Sequence, residues 1–321
     1  MLYTSKISFP GLGIGEFTVK SDAFSTDKFS IAWYGIIICL GMILAVAYVI
    51  YRAKGIGIDS ETILDFALFV IPIGVIGARL YYVLMELDQF DTFWEVINIS
   101  NGGLAIYGGI LAGAATVVVM CKIKKIYFPA FADCVVPGLI AAQAIGRWGN
   151  FMNGEAFGAQ TTSFLRMGLQ NINSYYTFDT FDMVYVHPTF LYESLWNIIG
   201  FIGVNIFYKH KKYDGQIFLM IFGWYGLGRM LIEGLRTDSL YLFGSGIRVS
   251  QALAALIFIA CTSALIYFAI KRPNKPFYVR ESKTAKVNTS LENTASVEVE
   301  SNTSENSNDL NVNDNSMNSE E

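Results

Sequence analysis

The stretch VVPGLIAAQAIGRWGNFMNGEAFG, residues 135–158, decides how the chain is read. Its first half closes an apolar run that begins near residue 129. At about 20 residues, such a run is long enough to cross the hydrocarbon core of a bilayer. Its second half, residues 146–158, packs an arginine, two asparagines, a glutamate and four glycines into thirteen positions. Such a segment is either the wet end of a membrane helix or a site built to hold a charged ligand.

The rest of the chain is of the same kind. Of its 321 residues 53% are hydrophobic and only 16% charged, with a mean hydropathy of +0.41, which marks an integral membrane protein. Nearly uncharged stretches recur at 31–51, 63–85, 103–121, 129–148, 188–208, 216–235 and 249–270, and predict seven transmembrane helices in an all-α fold. Basic residues fall in every second loop: Arg52 and Lys54, then Lys122, Lys124 and Lys125, then Lys209, Lys211 and Lys212, then Lys271, Arg272 and Lys275. The positive-inside rule makes those loops cytoplasmic, which puts the N-terminus outside and the C-terminus inside. The first run is not read as a cleaved signal, because a long polar segment precedes it and YRAK closes it.

Four segments follow. Residues 1–30 form an outer N-terminal segment and 31–272 a seven-helix membrane domain. Within it, 155–187 is too long for a turn and too aromatic for a disordered loop, which predicts a small folded cap facing outward. Residues 273–321 turn to Asn, Ser, Thr and Glu and read as a disordered cytoplasmic tail. From Arg280 onward the tail carries nine carboxylates against three basic residues, so the net charge of −4 conceals a body at +2. The four cysteines lie in or beside apolar runs without metal-ligand spacing, and two histidines exclude a histidine-rich centre. No metal or cofactor is expected, and no nucleic-acid partner.

Ionisable residues inside a span are costly and therefore mark candidate functional groups. In the sixth run Tyr225, Arg229, Glu233 and Arg236 share one helical face. They read either as a self-neutralising Arg229–Glu233 pair with Arg236 snorkelling, or as a cationic stripe in which Glu233 orients an arginine toward an anion. Arg147 ends the fourth run, and its planar fork suits a phosphate; Asn150, Asn153, Glu155 and Gly158 follow. NGGLAIYGG at 101–109 and HPTFLYES at 187–194 enter the third and fifth runs on the same side. In WYG at 33–35, Trp33 belongs to the interfacial aromatic belt, and Tyr34 faces elsewhere. Arg79 is either the partner of a buried carboxylate or a lipid headgroup contact. Glycines at 109 and 113 and in GWYGLG, 223–228, have the spacing of close helix contacts.

All these groups gather toward the outer side, and the chain has no internal repeat. That favours chemistry on something presented in the outer leaflet over the midplane site of a transporter. An anion transporter or channel would use the same arginines, and a lipid-binding structural protein is a third class left open by the residues alone.

The pattern G-R-x-G-N-F-x-N-x-E-x-x-G, met by Gly146, Arg147, Gly149, Asn150, Phe151, Asn153, Glu155 and Gly158, resembles that of the phosphatidylglycerol:prolipoprotein diacylglyceryl transferases. WYG, GGLAIYGG, HPTFLYES and YGLGRMLIEGLRTD follow that family's order, so the resemblance covers about residues 30–270. It implies transfer of a diacylglyceryl group from phosphatidylglycerol to the thiol of the lipobox cysteine of an exported prolipoprotein, with release of glycerol phosphate. Membrane lipids are then the surroundings, and the active site lies toward the outer leaflet of a bacterial cytoplasmic membrane. The residues carried over are Tyr34, Arg147, Asn150, Glu155, Gly158, Tyr225, Arg229 and Glu233.

The chain departs from the family at Tyr107, where other members commonly have histidine. A neutral tyrosine is a poor base at pH 7 and a good hydrogen-bond donor. Arg147 and Arg229 are expected to bind the phosphate, Asn150 to donate to the headgroup, and Glu155 and Glu233 to orient the arginines. The candidates for accepting the cysteine proton are Tyr107, Glu155 and His187.

Overall fold

The computed structural model describes residues 4–26, 30–99, 102–237, 248–271 and 277–279. The expected tail lies outside the described residues except for 277–279, and so does most of the loop before the last helix. The described helices are α1 Trp33–Ala53, α2 Ser60–Met85, α3 Phe93–Ile97, α4 Ile106–Ile123, α5 Phe128–Asn153, α6 Ile172–Phe178, α7 Thr189–Phe207, α8 Gln216–Glu233 and α9 Val249–Lys271. Six of them, α1, α2, α4, α5, α7 and α9, are long and apolar enough to cross a membrane. The remaining expected span, α8, has 18 residues, but Arg229, Glu233 and its glycines lower its apolarity.

Sequence chemistry sets the helix ends. Asp59 starts α2 by accepting the Thr62 amide at 2.7 Å. Helix α5 runs past the expected end at 148, so most of the opening motif is its last two turns; the chain leaves it through Gly154 at φ 58°, a left-handed conformation suited to glycine.

Helix α1 packs along α5, α5 along α7, α7 against α8 and α8 along α9, whereas α2 and α4 form a pair joined to the rest mainly through α1. The α2–α4 contact is made at Gly77 and Gly108, where an added Cβ would come within 2.3 Å of Ala112 Cβ and of the Gly77 carbonyl oxygen, respectively. Gly109 and Gly113, the pair marked by spacing, make only ordinary contacts. GWYGLG does mark a close approach. The indoles of Trp196 and Trp224 stack at 4.2 Å, and each donates at 2.9 Å to the other's backbone carbonyl. Each ring lies over a glycine of the other helix, Trp224 over Gly200 and Trp196 over Gly228. This reciprocal clasp fixes the register of α7 against α8.

At the other end of the same helices, Asp133 of α5 is fully buried and accepts the amides of Gly215 and Phe218, capping α8 from a neighbouring helix. Lys211 bridges Asp133 and Asp214. Burial alone would pull its ammonium pKa down, but the two carboxylates outweigh that and hold it above its ordinary value.

The all-α expectation needs correction. Strands β1 Thr4–Phe9, β2 Ile14–Lys20, β3 Asp22–Ser25, β4 Ser30–Ala32, β5 Met167–Gln170 and β6 Val184–Val186 form an antiparallel sheet ordered β2-β1-β5-β6 and a small β3-β4 ribbon. The N-terminal segment and residues 155–187, expected as separate pieces, are thus one unit whose core holds Ile7, Leu169 and Val186. Strands of three to seven residues have too little alternation to stand out, and β1 finds its partner β5 across most of the chain.

Gly228→Val should push into the Trp196 indole and cost about 1–3 kcal/mol, as overpacking does. The melting temperature in detergent should fall. Gly203→Ala on α7, where an added Cβ meets nothing, should leave it unchanged or raised.

Candidate active site

One carboxylate collects three arginines. Glu193, in the second turn of α7 and 4% exposed, receives Arg147 of α5 (Nη2 to Oε2, 2.5 Å), Arg229 of α8 (Nη1 to Oε1, 2.9 Å) and Arg236 from the turn after α8 (Nη1 to Oε1, 3.3 Å). Arg229 also reaches Glu233 one turn on, at 2.6 Å, and Glu233 is 2% exposed. The Arg229–Glu233 pair therefore exists, but it does not neutralise the stripe, because Arg236 turns inward to Glu193. Arg248, at the start of α9, donates to the Glu233 backbone carbonyl.

The opening motif supplies a second layer. Arg147 Nη1 lies 3.5 Å from Asn150 Oδ1; Asn150 donates to Glu155 Oε1 at 3.0 Å and Asn153 to the same oxygen at 3.2 Å. Glu155, expected to orient an arginine, makes no direct ion pair with one among the described residues. It is tied to Arg147 through Asn150, because the turn at Gly154 brings it back over the last turn of α5. The Tyr34 ring lies on Gly149, where a Cβ would come within 2.6 Å of it, and is within electrostatic range of Glu155 and Arg147.

Gly158 acts through its backbone. Its amide donates to the His187 carbonyl at 2.9 Å and it bridges to Arg236, while Ala159 donates to the Leu235 carbonyl at 2.8 Å. A Cβ there would meet His187 Cβ at 2.7 Å and the Leu235 carbonyl oxygen at 2.8 Å. Thr237 donates to the Phe157 carbonyl at 3.2 Å, and Thr189 donates to that of Ala156. Residues 156–160 are thus stitched between the start of α7 and the end of α8, which locks the arginine-bearing elements together.

The other expected site residues lie apart from this cluster. Tyr225 sits one turn before Arg229 on α8, half-buried and within electrostatic range of Arg147. His187 Nδ1 is 3.3 Å from the Tyr192 hydroxyl, and burial holds its pKa below the ordinary imidazole value. Tyr107, in the first turn of α4, shares a 3.2 Å hydrogen bond with Ser250 of α9. Arg79 fits neither of its two readings. Its guanidinium donates to five backbone carbonyls, those of Glu95, Val96, Asn98, Gly102 and Gly103, at 2.6–3.0 Å, and so shapes the α2–α4 connection.

Sequence reasoning passed over Glu193. The rule that drew attention to Glu233 applies to it equally, since it is a carboxylate inside an apolar run, but it stands alone on its helix without a basic neighbour to form a visible pattern.

Among the described residues three guanidiniums converge on the buried carboxylates Glu193 and Glu233, in a dry setting where electrostatic interactions are strong. Guanidiniums so placed have the planar, multi-donor geometry that suits an oxyanion. Among the described residues, no cluster of three or more His, Cys, Asp or Glu side chains is arranged to hold a metal ion.

Comparison with known proteins identifies the family. The family model described as prolipoprotein diacylglyceryl transferase matches residues 21–267. A phosphatidylglycerol–prolipoprotein diacylglyceryl transferase of Listeria innocua is 42% identical over 281 residues, 86% of this chain and 99% of that protein. One of two such relatives to add, from Clostridium perfringens, is 43% identical over 263 residues, 79% of this chain and 96% of its own. The other, from Enterococcus faecalis, is 42% identical over 280 residues, 85% and 98%. With the family model matching residues 21–267 and relatives 42–43% identical over 79–86% of its length, this multi-pass helical chain belongs to the prolipoprotein diacylglyceryl transferase family.

Proposed function

We propose that Arg147, Arg229 and Arg236 hold the phosphate of phosphatidylglycerol while the chain transfers its diacylglyceryl group to the lipobox cysteine of a prolipoprotein. The observation that carries this reading is the convergence of three guanidiniums on Glu193. The cysteine thiolate attacks the glyceryl methylene carbon; the C–S bond forms, the C–O bond breaks, and glycerol phosphate leaves with the electron pair. Charge that builds on the leaving phosphate meets arginines already in place, which is where preorganised electrostatics lowers a barrier. The same field favours the thiolate over the thiol, whose free pKa is near 8.5.

Of the candidates for accepting the thiol proton, Glu155 is the one joined to the cluster, through Asn150. The His187 ring nitrogen faces Tyr192, and the Tyr107 hydroxyl faces Ser250. Glu155 takes the proton in this scheme, with Tyr34 beside it, and Tyr107 closes the space between α4 and α9. Tyr225 lines the lipid side below Arg229, and Gly158 keeps Arg236 in reach.

Seven crossings, with α8 as the sixth, place the N-terminus, the sheet and the arginine cluster outside and the basic loops in the cytoplasm. The unit formed by residues 1–30 and 155–187 is then an outward cap over the site, where an exported precursor arrives, and residues 273–321 are a cytoplasmic tail. The bacterial cytoplasmic membrane supplies the lipid.

Arg147→Gln or Arg229→Gln should lower diacylglyceryl transfer to a lipobox peptide by about 10²–10³-fold, followed as the mass gain of the peptide. Intact transfer in either variant would overturn the scheme. Glu193→Gln should be at least as damaging, because it removes the charge that holds Arg147 and Arg236 and leaves Arg229 with Glu233 alone. Tyr107→Phe should stay within about tenfold of the wild type, the scale of one hydrogen bond, whereas Glu155→Gln should lose far more. A large loss in Tyr107→Phe, recovered in Tyr107→His, would move the proton to Tyr107.

A further inference from the structure

Asn197 lies on α7 one turn beyond Glu193 and on the same buried face, which runs through Thr189, Glu193, Asn197, Gly200 and Val204. It is 2% exposed. Its amide nitrogen is enclosed by protein, and among the described residues it is the only buried side-chain nitrogen without an acceptor. The polar side chains that flank it on α7, Trp196 and Glu193, are already engaged. The Trp196 and Trp224 indoles bond each other's carbonyls, and Arg147, Arg229 and Arg236 are taken up by Glu193 and Glu233. A buried amide left unpaired opposes folding by about as much as a lost hydrogen bond, and a leucine of similar size would avoid that cost. Its presence calls for an acceptor from outside the chain.

Depth says which acceptor. One helical turn carries Asn197 about 5.4 Å further into the bundle than Glu193. The Trp196–Trp224 stack fixes the register of α7 against α8, so that Asn197 falls in the layer of Tyr225. A glycerophospholipid whose phosphate lies at the arginines presents its next acceptors, the two ester carbonyls, a few ångströms along the molecule toward its acyl chains. We propose that Asn197 donates a hydrogen bond to an ester carbonyl of the bound phosphatidylglycerol and so selects diester lipid and holds the glyceryl carbon in line. This rests on the reading of the arginine cluster as the phosphate site.

The test compares diester phosphatidylglycerol with its diether analogue of equal chain length, in the full-length protein. Wild type should prefer the diester by about tenfold in kcat/KM, the scale of one hydrogen bond. In Asn197→Leu that ratio should fall to about one, while the melting temperature holds or rises because the unpaired amide is gone. Asn197→Ala should lose the preference in the same way. A ratio unchanged from wild type, or a wild type that does not distinguish the lipids, would overturn the inference. Arg229→Gln separates the two readings: it should lower both lipids alike. If it leaves both intact, the phosphate site is wrong; if it lowers both while Asn197→Leu keeps the diester preference, only the role of Asn197 is wrong.

Discussion

A buried carboxylate surrounded by three guanidiniums is the constraint on which the rest of this structure depends. Neither side is tolerable alone: an isolated charge in a medium this dry is opposed by several kcal/mol of desolvation, roughly what a good partner returns. Glu193 makes it possible for Arg147, Arg229 and Arg236 to lie close together, and they make it possible for Glu193 to be buried. Three guanidiniums held in place by so few carboxylate oxygens are the feature on which the proposed phosphate site rests.

The cluster draws on α5, α7, α8 and the turn after α8, so its geometry is only as good as the packing of those helices. Three devices hold them. The Trp196–Trp224 clasp sets one helix against the next, Asp133 caps α8 at the far end, and the segment 156–160 laces the near ends together. All three spend hydrogen bonds on backbone groups that lipid would leave unmet. Arg79 does the same for the α2–α4 connection.

Much of this was legible in the residues and some was not. Six long helices, their approximate limits and the polar stretch after Gly146 follow from hydropathy and glycine placement, which are local properties. Arg147, Arg229 and Glu233 declared themselves as charges inside apolar runs. The partner of the arginines did not, because an ion pair across helices leaves no spacing to read. The sheet was hidden for a related reason: β1 resembles a polar leader until β5 is set beside it. The site positions were thus visible singly, and their connections, Glu193 to the arginines and Asn150 to Glu155, needed the third dimension.

The pairing of β1 with β5 also sets an order in time. Residues 4–9 leave the ribosome well before their neighbours on the sheet, residues 167–170, with four of the long helices between them. Until those have been threaded through the bilayer, the first strand waits with an open edge. The stitching of 156–160 to Leu235 and Arg236 then delays completion until α8 has followed. The arginine cluster therefore cannot assemble before α8 and the turn after it have followed, and a chain that stops short of Arg236 holds only part of it.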